Sequence, residues 1–349
     1  MGQKKAMIAL SGGVDSSVAA YLTEQAGFSC IGATMQLQDM AESQIADAQS
    51  VADRLGIPFH VFDFKNSFKC LVMDAFVQAY ESGATPNPCV ECNRNLKFGL
   101  LLDKALELGC DCIVTGHYAR ITQNAETGRL QLQKALDESK DQTYFLYALT
   151  QQQLCHIRFP LGELTKAEAR DIAENQGFVT ARKKDSQDIC FIPDGDYLTF
   201  MQQHTGKAYP SGNFLDIDGN VIGQHKGAVA YTLGQRKGLG IAMGEPVYVC
   251  GKDMLANTVT VGSQEALMHR TLLADQWYWQ SCEELDVPMR VTAKARSRMA
   301  EQPATVYPAE SGMVKVVFDE PQRAITPGQA VVLYDGDLVV GGGTIQKVL

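Results

Sequence analysis

Residues 7–17 have the sequence MIALSGGVDSS, an apolar run followed by two glycines, an acidic residue and two serines. The apolar residues predict a buried strand, and the helix-compatible residues 18–25 predict a helix directly after the glycine turn. Glycines let backbone N–H groups approach a phosphate closely, and a helix N-terminus adds unpaired donors and a favourable dipole. An ordinary strand-to-helix turn is the alternative, but the complete string in this position favours a phosphate-binding loop.

The loop differs from the two commonest nucleotide-binding motifs. It lacks the Gly-Lys-Ser/Thr ending of a Walker A loop and the G-x-G-x-x-G pattern of dinucleotide sites. It resembles the SGGxDSS loop of ATP pyrophosphatases, which activate an oxygen as an adenylate and release pyrophosphate. Within it, Asp15 is expected either to cap the helix or to hold a metal ion.

Composition limits the class of protein. The 349 residues are 45% hydrophobic and 20% charged, which is typical of a globular chain with two or three domains. A net charge of -9 argues against indiscriminate nucleic-acid binding but leaves room for a local basic face. The sequence has neither a bilayer-length apolar stretch nor a secretory signal, so a cytoplasmic location is expected, where the 10 cysteines stay reduced.

Strand and helix patterns alternate through the first half of the chain. Strands are predicted at 28–35, 59–62 and 112–115, and helices at 42–55, 66–80 and 96–108. This alternation predicts an α/β fold with a doubly wound parallel sheet. Short strands and tight turns then predict a small β-rich central domain and a C-terminal β-barrel, giving the domains 1–206, 207–268 and 269–349.

Three cysteines stand out by position. Cys89 and Cys92 form a C-x-x-C motif beside two prolines that predict a loop, and Cys190 follows a polar run. The C-x-x-C spacing lets two thiolates meet one metal, form a disulfide or relay sulfur, although a structural or accidental origin is equally open. A structural zinc site is disfavoured because a second Cys or His pair is missing from the sequence.

Other polar residues follow predicted strands. Gly116 and His117 come directly after the strand predicted at 112–115, which places them at the carboxyl edge of the sheet, where ligands bind. A hydrogen-bonded structural histidine is the alternative. Residues 140–145, KDQTYF, form either an exposed loop entering a strand or a contact with RNA phosphate or an unstacked base.

Basic residues alternate in the last domain. Lys294, Arg296 and Arg298 are predicted to share one face of a strand. Together with Arg236 and Lys237 they would form a basic surface on an acidic protein. A solvated strand edge that resists aggregation is an equally good interpretation.

Taken together, the motifs resemble those of the tRNA-specific 2-thiouridylases, the MnmA family, over essentially the whole chain. The motifs are SGGVDSS at 11–17, TPNPCVEC at 85–92, TGHYAR at 115–120, KDQTYFL at 140–146, DSQDICF at 185–191 and YTLGQRKGLGI at 231–241. The family's fold, an ATP-pyrophosphatase domain followed by a small central domain and a β-barrel, agrees with the predicted order.

The resemblance implies a reaction. The wobble uridine of tRNA is extruded into the site, ATP adenylates its C2 oxygen, and sulfur displaces AMP to give 2-thiouridine. Mg²⁺ would neutralise the triphosphate. The implied partners are tRNA and a protein that donates persulfide or sulfide, with neither a membrane nor DNA involved.

The resemblance also assigns roles to individual positions. The ATP contacts are Ala9, Leu10, Ser11, Gly12, Gly13, Val14, Asp15, Ser16, Met35 and Gly116. The tRNA contacts are Asn87, Pro88, Cys89, His117, Lys140, Asp141, Gln142, Arg296, Ser297 and Gln329. Cys190 would receive persulfide sulfur, and Cys92 would expel it to leave a Cys92–Cys190 disulfide.

One position departs from the family pattern. The commonest form of the family has Asp, assigned to proton transfer, where this chain has Cys89. Cys89, Cys92 and Cys190 would supply three soft ligands to a 4Fe–4S cluster whose fourth iron binds sulfide. A persulfide relay and such a cluster are therefore equally weighted hypotheses for sulfur delivery. An ATP-dependent amide or C–N ligase and a metal-stabilised tRNA-binding module without catalysis are the rival functions.

Overall fold

The N-terminal half of the chain is built on a parallel β-sheet. The structure, a computed structural model, describes residues 2–38, 42–183, 189–241 and 243–349. The sheet order reverses between Lys5–Ala9 and Cys112–Val114, the position where open α/β sheets bind ligands. From edge to edge, its strands are Phe59–Asp63, Ser29–Gln36, Lys5–Ala9, Cys112–Val114 and Ile157–Arg158.

Helices cover both faces of this sheet. Ala6 and Ile8 of the first strand pack into one hydrophobic cluster, whereas Met7 between them packs into another. Alternate residues of a strand point to opposite faces, so both faces are buried and the predicted doubly wound α/β fold is confirmed. The uninterrupted helices of the half are Val14–Gln25, Glu42–Leu55, Gln151–Cys155, Lys166–Asn175 and Tyr197–Thr205.

Two long helices in the described part of the chain contain π-helical segments. The first is built from Lys65–Phe68, the π segment Lys69–Met73 and Asp74–Glu81; the second from Pro88–Glu91, the π segment Cys92–Leu100 and Leu101–Glu107. The loop predicted around Cys89 and Cys92 is therefore wrong. Pro88 occupies the first helical turn, where its fixed φ suits the helix and its missing N–H would be unpaired anyway.

The central part of the chain forms a small sheet of its own. Its strands lie in the order Tyr248–Asp253, Thr258–Gly262, Gly212–Leu215 and Val221–His225. Phe214, Val249 and Val259 are fully buried in its core. This small β-rich unit follows the α/β half, as the sequence predicted.

The C-terminal strands close into an antiparallel barrel, because Met268–Trp279 pairs with both Val314–Arg323 and Leu338–Val348. The remaining barrel strands are Met289–Lys294, Gln302–Pro308 and Ala330–Asp335. The strand at Met289–Lys294 ends before Arg296 and Arg298, so the prediction that these arginines continue one strand face is wrong.

A hairpin from the α/β half extends this antiparallel sheet. The strands Arg120–Gln123 and Leu130–Gln133 join it where Gln133 pairs with Leu338. Barrel residues such as Tyr334 also share a hydrophobic cluster with Met7. The α/β half and the barrel are thus continuous in both sheet and core.

Residues 140–145 lie in short 3-10 turns that bury Thr143 and Tyr144, rather than in an exposed loop entering a strand.

None of the described helices is long and apolar enough to cross a bilayer. The domain boundaries after residues 206 and 268 remain predictions. The short 3-10 turns are Glu138–Lys140, Thr143–Phe145, Pro160–Glu163, Ala228–Ala230, Glu265–Leu267 and Glu310–Gly312, and a short strand lies at Ile157–Arg158.

Candidate active site

The glycine loop leaves an open helix N-terminus at the sheet edge. Gly12 has φ +68°, and a Cβ there would lie 2.9 Å from the Gln44 carbonyl oxygen, so glycine is required. No described side chain caps the helix that begins at Val14, which leaves its first N–H groups for an anion. The Ser11 and Ser16 hydroxyl oxygens lie 3.2 Å apart beside these groups.

Asp15 has a role that differs from both expectations. Its carboxylate accepts hydrogen bonds from the Lys166 ammonium at 2.7 and 2.9 Å and from the Tyr118 hydroxyl at 3.0 Å. Gly13, not Asp15, is the N-cap of the helix. The ion pair of Lys166 with Asp15 neutralises a negative charge that would otherwise repel phosphate. It also makes the Asp15 carboxylate a poor ligand for a metal ion.

A capping box formed by Thr165 and Glu168 opens the helix that carries Lys166. The sequence reasoning did not single out Lys166 as a site residue. A lysine in the first turn of a helix is unfavourable beside the positive end of the helix dipole and needs a compensating acidic partner. Its position in the sequence could therefore have indicated a buried ion pair. The partner is Asp15, at the start of another helix.

Gly116 brings a second loop against the glycine loop. A Cβ at Gly116 would lie 2.6 Å from the Asp15 carbonyl carbon and 2.7 Å from the Ser16 nitrogen, so glycine is needed for the close approach. Met35 reaches the same edge from the neighbouring strand, where the Leu10 N–H donates to the Ala33 oxygen at 2.8 Å. The structure thus brings the predicted ATP-contacting residues together.

His117 links this edge to the cysteine-bearing helix. Its Nδ1 lies 2.6 Å from Thr115 Oγ1 and its Nε2 lies 3.4 Å from the Lys97 Nζ. Since an ammonium only donates, Nε2 accepts and Nδ1 carries the proton that it donates to Thr115. Burial, and then the nearby Lys97 charge, hold the pKa of His117 well below 6.5, so the imidazole is neutral. The rings of Phe98 and Phe159 flank it at 5.7 and 5.8 Å.

Cys89 and Cys92 are three residues apart in one helix and therefore share a face. Lys97 follows Cys92 by five residues within the π segment, whose i→i+5 hydrogen bonding stacks such positions. Burial raises the pKa of both thiols, and the Lys97 charge partly offsets this rise. The ammonium is held in place by donating to Asn93 Oδ1 at 2.9 Å.

Cys190 interacts electrostatically with these two thiols although it is nearly a hundred residues away in sequence. Burial, followed by the neighbouring Cys92 and Cys89 thiols, raises the pKa of Cys190 to about 11. Phe191 anchors the segment by packing its ring 5.6 Å from that of Phe68 and 5.4 Å from that of Phe76. Residues 184–188 of the DSQDICF motif lie outside the described residues.

Solvent reaches the cysteines to different extents. Cys89 and Cys190 are exposed, Cys92 is half-buried, and none of the three forms a disulfide. Among the described residues, no three His, Cys, Asp or Glu side chains are arranged to hold a metal ion, so these thiols as placed do not fit a cluster.

Several predicted tRNA contacts are engaged within the chain. Asp141 accepts from the Thr143 hydroxyl at 2.6 Å, and Gln142 Oε1 accepts from the Tyr118 N–H at 2.9 Å. Arg296 donates to the Leu233 oxygen at 2.9 Å and is substantially buried, which lowers its pKa.

The other predicted tRNA contacts form two groups. Asn87 and Pro88 begin the cysteine-bearing helix, and Gln329 contacts the loop before it. Lys140 and Ser297 are partly exposed.

Comparison with known proteins follows the same division of the chain. Family models match residues 4–194 as a tRNA methyl transferase HUP domain, 198–263 as a tRNA methyl transferase PRC-barrel domain and 269–345 as an aminomethyltransferase beta-barrel domain. A solved structure of the U34-tRNA thiolase NcsA from Methanococcus maripaludis, with its 4Fe–4S cluster, is 19% identical, covers 59% of this chain and 69% of that chain, and has a TM-score of 0.38. Similarity this low carries no argument about the activity or the cluster.

Curated relatives match over their full length. The tRNA-specific 2-thiouridylase MnmA of Clostridioides difficile is 46% identical, covering 99% of both chains. That of Acetivibrio thermocellus is 48% identical, covering 99% of this chain and all of its own. With three matching domains in the same order and this identity from end to end, the chain belongs to the MnmA family of tRNA-specific 2-thiouridylases.

Proposed function

We propose that this protein is a tRNA-uridine 2-sulfurtransferase that uses ATP to activate the wobble uridine and thiols to deliver the sulfur. The observation that carries the proposal is a continuous line of contacts. Gly116 touches the Asp15–Ser16 backbone of the phosphate loop, His117 follows it, and Lys97 joins His117 to the helix of Cys92. An activated base held at the sheet edge is therefore within reach of both phosphate and sulfur chemistry.

The first half-reaction makes a leaving group. The C2 oxygen of uracil attacks the α-phosphorus of ATP, an O–P bond forms, and pyrophosphate departs. The open helix N-terminus beyond Gly13 and the neutralised Asp15 favour the anionic phosphates. Mg²⁺ would be held chiefly by the phosphates and water, since Lys166 and Tyr118 already occupy the Asp15 carboxylate; when bound it supplies charge neutralisation.

The second half-reaction delivers sulfur. The Cys92 thiolate attacks Sγ of a persulfide on Cys190, forming a Cys92–Cys190 disulfide and expelling hydrosulfide. The hydrosulfide attacks C2, the C2–O bond breaks, and AMP leaves with the oxygen. Two thiols lose two electrons and the outer persulfide sulfur gains them, so an external thiol reductant must then reopen the disulfide.

Cys89 lies one helical turn before Cys92. We assign no step to an iron–sulfur cluster, because the described side chains are not arranged to bind one. A thiol at position 89 places no carboxylate charge beside Cys92. Partners are tRNA and a protein that donates persulfide sulfur, which places the reaction where tRNA is found, in the cytoplasm.

Anaerobic purification with iron and sulfide analysis, followed by a sulfur-transfer assay on tRNA with ATP, tests this proposal. The relay predicts a colourless, iron-free protein that forms 2-thiouridine. Activity that requires iron would replace the relay with the cluster. Amination of a small acid without any thiolated nucleoside would favour the ligase.

A further inference from the structure

The barrel holds both ends of the segment that carries Cys89 and Cys92. This segment, residues 85–94, runs from the TPNP sequence into the π-helical region. One end contacts the loop before the strand Ala330–Asp335, and the other contacts the strand Met268–Trp279. Both contacts come from residues far away in sequence, so they exist only when the two domains are assembled.

The first tether is centred on Gln329. Its side-chain amide donates to the Thr85 oxygen at 2.8 Å and to the Pro86 oxygen at 3.2 Å. The Thr85 N–H donates in turn to the Pro327 oxygen at 2.8 Å. Gly328, at φ +87°, permits this approach, because a Cβ there would lie 2.9 Å from the Thr85 nitrogen. The carbonyl groups of Thr85 and Pro86 lie before the helix and outside its hydrogen-bonding pattern, and the Gln329 amide supplies their donor.

The second tether is centred on Tyr278. The Arg94 guanidinium donates to the Tyr278 hydroxyl at 2.7 Å through Nη1 and to Glu91 Oε2 at 2.5 Å through Nη2. The guanidinium also lies 5.5 Å from the centre of the Tyr278 ring. Glu91 and Arg94 flank Cys92 in the helix, so the barrel tyrosine fixes the turn that carries the thiol.

The helix needs this support because a π segment is intrinsically less favourable than an α-helix. Gln153 supplies part of it by donating its amide to the Phe98 oxygen at 2.7 Å and to the Arg94 oxygen at 3.2 Å. Asn93, the residue after Cys92, adds a second contact within the α/β half by donating to the Phe145 oxygen at 3.0 Å. The barrel contacts at Thr85 and Arg94 bracket the turn that carries Cys92.

We propose that Gln329 and Tyr278 are positioning residues that hold the Cys92 turn opposite Cys190, so that the barrel sets the rate of sulfur transfer without touching the reacting atoms. This inference rests on the proposed thiol relay. It gives Gln329 a different task from the tRNA contact that the family resemblance assigns, since its amide already donates to two protein carbonyls.

The test compares two tether variants with two matched controls. Gln329→Leu removes the amide, and Tyr278→Phe removes only a hydroxyl, which keeps the barrel core intact. The controls are Gln322→Leu and Tyr307→Phe, because the Gln322 amide donates to the Glu320 oxygen of its own strand and the Tyr307 ring contacts Lys315 of the barrel. Each protein is assayed for pyrophosphate release, tRNA affinity and single-turnover 2-thiouridine formation at saturating tRNA.

We expect each tether variant to form 2-thiouridine about tenfold more slowly, the effect of losing one positioning hydrogen bond, with tRNA affinity and pyrophosphate release within about twofold of wild type. Arg94→Met combined with Tyr278→Phe should slow the reaction no more than Arg94→Met alone, because Arg94→Met already removes the contact with the Tyr278 hydroxyl. An unchanged rate in both tether variants, or a weaker tRNA affinity at an unchanged saturated rate, would overturn the inference.

A readout independent of activity separates this inference from the proposed function. The rate of Cys92 alkylation by N-ethylmaleimide, relative to that of exposed Cys70 in the same molecule, should change at least about threefold in the tether variants and not in the controls. If wild-type protein forms no 2-thiouridine but this ratio shifts as expected, the relay fails and the tether stands. A ratio unaffected in both variants refutes the tether.

Discussion

Gly116 lies where the second loop packs so closely on the glycine loop that an added Cβ would clash. A Cβ at this position would lie 2.6 Å from the Asp15 carbonyl carbon, 2.7 Å from the Ser16 nitrogen and 2.8 Å from the Asp15 Cβ. Two of these three atoms are backbone, so no side chain can rotate away. Gly116 is not among the glycines with positive φ, which makes the effect of Gly116→Ala steric rather than conformational.

The size of the displacement gives the expected effect. Ordinary contacts of a Cβ begin near 3.4 Å, so the phosphate loop and the Gly116 loop must separate by roughly 0.8 Å to admit alanine. Overpacking of this kind costs about 1–3 kcal/mol of stability. A shift approaching 1 Å in a residue that positions the reacting phosphate lowers the rate by up to about a hundredfold. We therefore expect kcat/KM for tRNA-dependent pyrophosphate release to fall by about ten- to a hundredfold.

The assay follows pyrophosphate release at saturating tRNA, with thermal unfolding measured in parallel. Gly244→Ala is the matched control, because a Cβ added at Gly244 would meet no described atom within 4 Å and Gly244 lacks a positive φ. It should leave both rate and stability unchanged. If Gly116→Ala turned over within twofold of wild type, the close approach between the two loops would not exist as described.

Three further substitutions probe the site. Lys166→Met leaves the Asp15 carboxylate without its ammonium partner, which should lower the free energy of unfolding by about 3 kcal/mol and weaken ATP binding. A free energy of unfolding in urea within about 1 kcal/mol of wild type would contradict a stabilising Lys166–Asp15 ion pair. His117 has a pKa well below 6.5, so the unfolded chain takes up the proton first and the free energy of unfolding decreases as the pH falls below about 6.5. Between pH 6.5 and 5.5 the wild-type protein should lose about 1 kcal/mol more of this free energy than His117→Gln does. Equal losses in urea unfolding would refute a buried neutral imidazole. Cys190→Ala should abolish thiolation while tRNA affinity and pyrophosphate release persist, with Cys70→Ala as the active control; a normal thiolation rate would remove Cys190 from the relay.

Local patterns predicted the strand, the glycine turn and the helix around residues 7–25 well. The apolar strand before Ser11, the glycines and the alternation of strands and helices are local signals, so they placed the loop at the switch point of a parallel sheet. The chain position of Gly116 after a strand predicted the same edge. Residue types within a few positions of one another were sufficient for these inferences.

The cysteine segment was harder to predict. Prolines at 86 and 88 indicate a break in structure, but Pro88 also fits the first turn of a helix, and sequence alone does not choose between them. The π segment depends on carbonyls satisfied by Gln153, which is more than fifty residues away. Such support comes from tertiary contacts and leaves no local pattern.

Charged residues were misjudged for a related reason. Arg296 was predicted to lie on one face of a strand, as part of a basic surface or a solvated edge, yet it turns inward to the Leu233 oxygen. Lys166, for which no role was predicted, turns inward to Asp15. Their partners lie on other elements. Only the assembled fold shows that these cations hold loops together.

The central claim is that ATP turns the C2 oxygen of a tRNA uridine into a leaving group for sulfur. Transcribed tRNA carrying ¹⁸O at C2 of uridine, incubated anaerobically with the protein, ATP and a persulfide donor, tests it most directly by mass spectrometry of AMP and nucleosides. The account predicts one ¹⁸O-labelled AMP for each 2-thiouridine formed. Thiolated tRNA accompanied by unlabelled AMP, or formed without ATP, would contradict it.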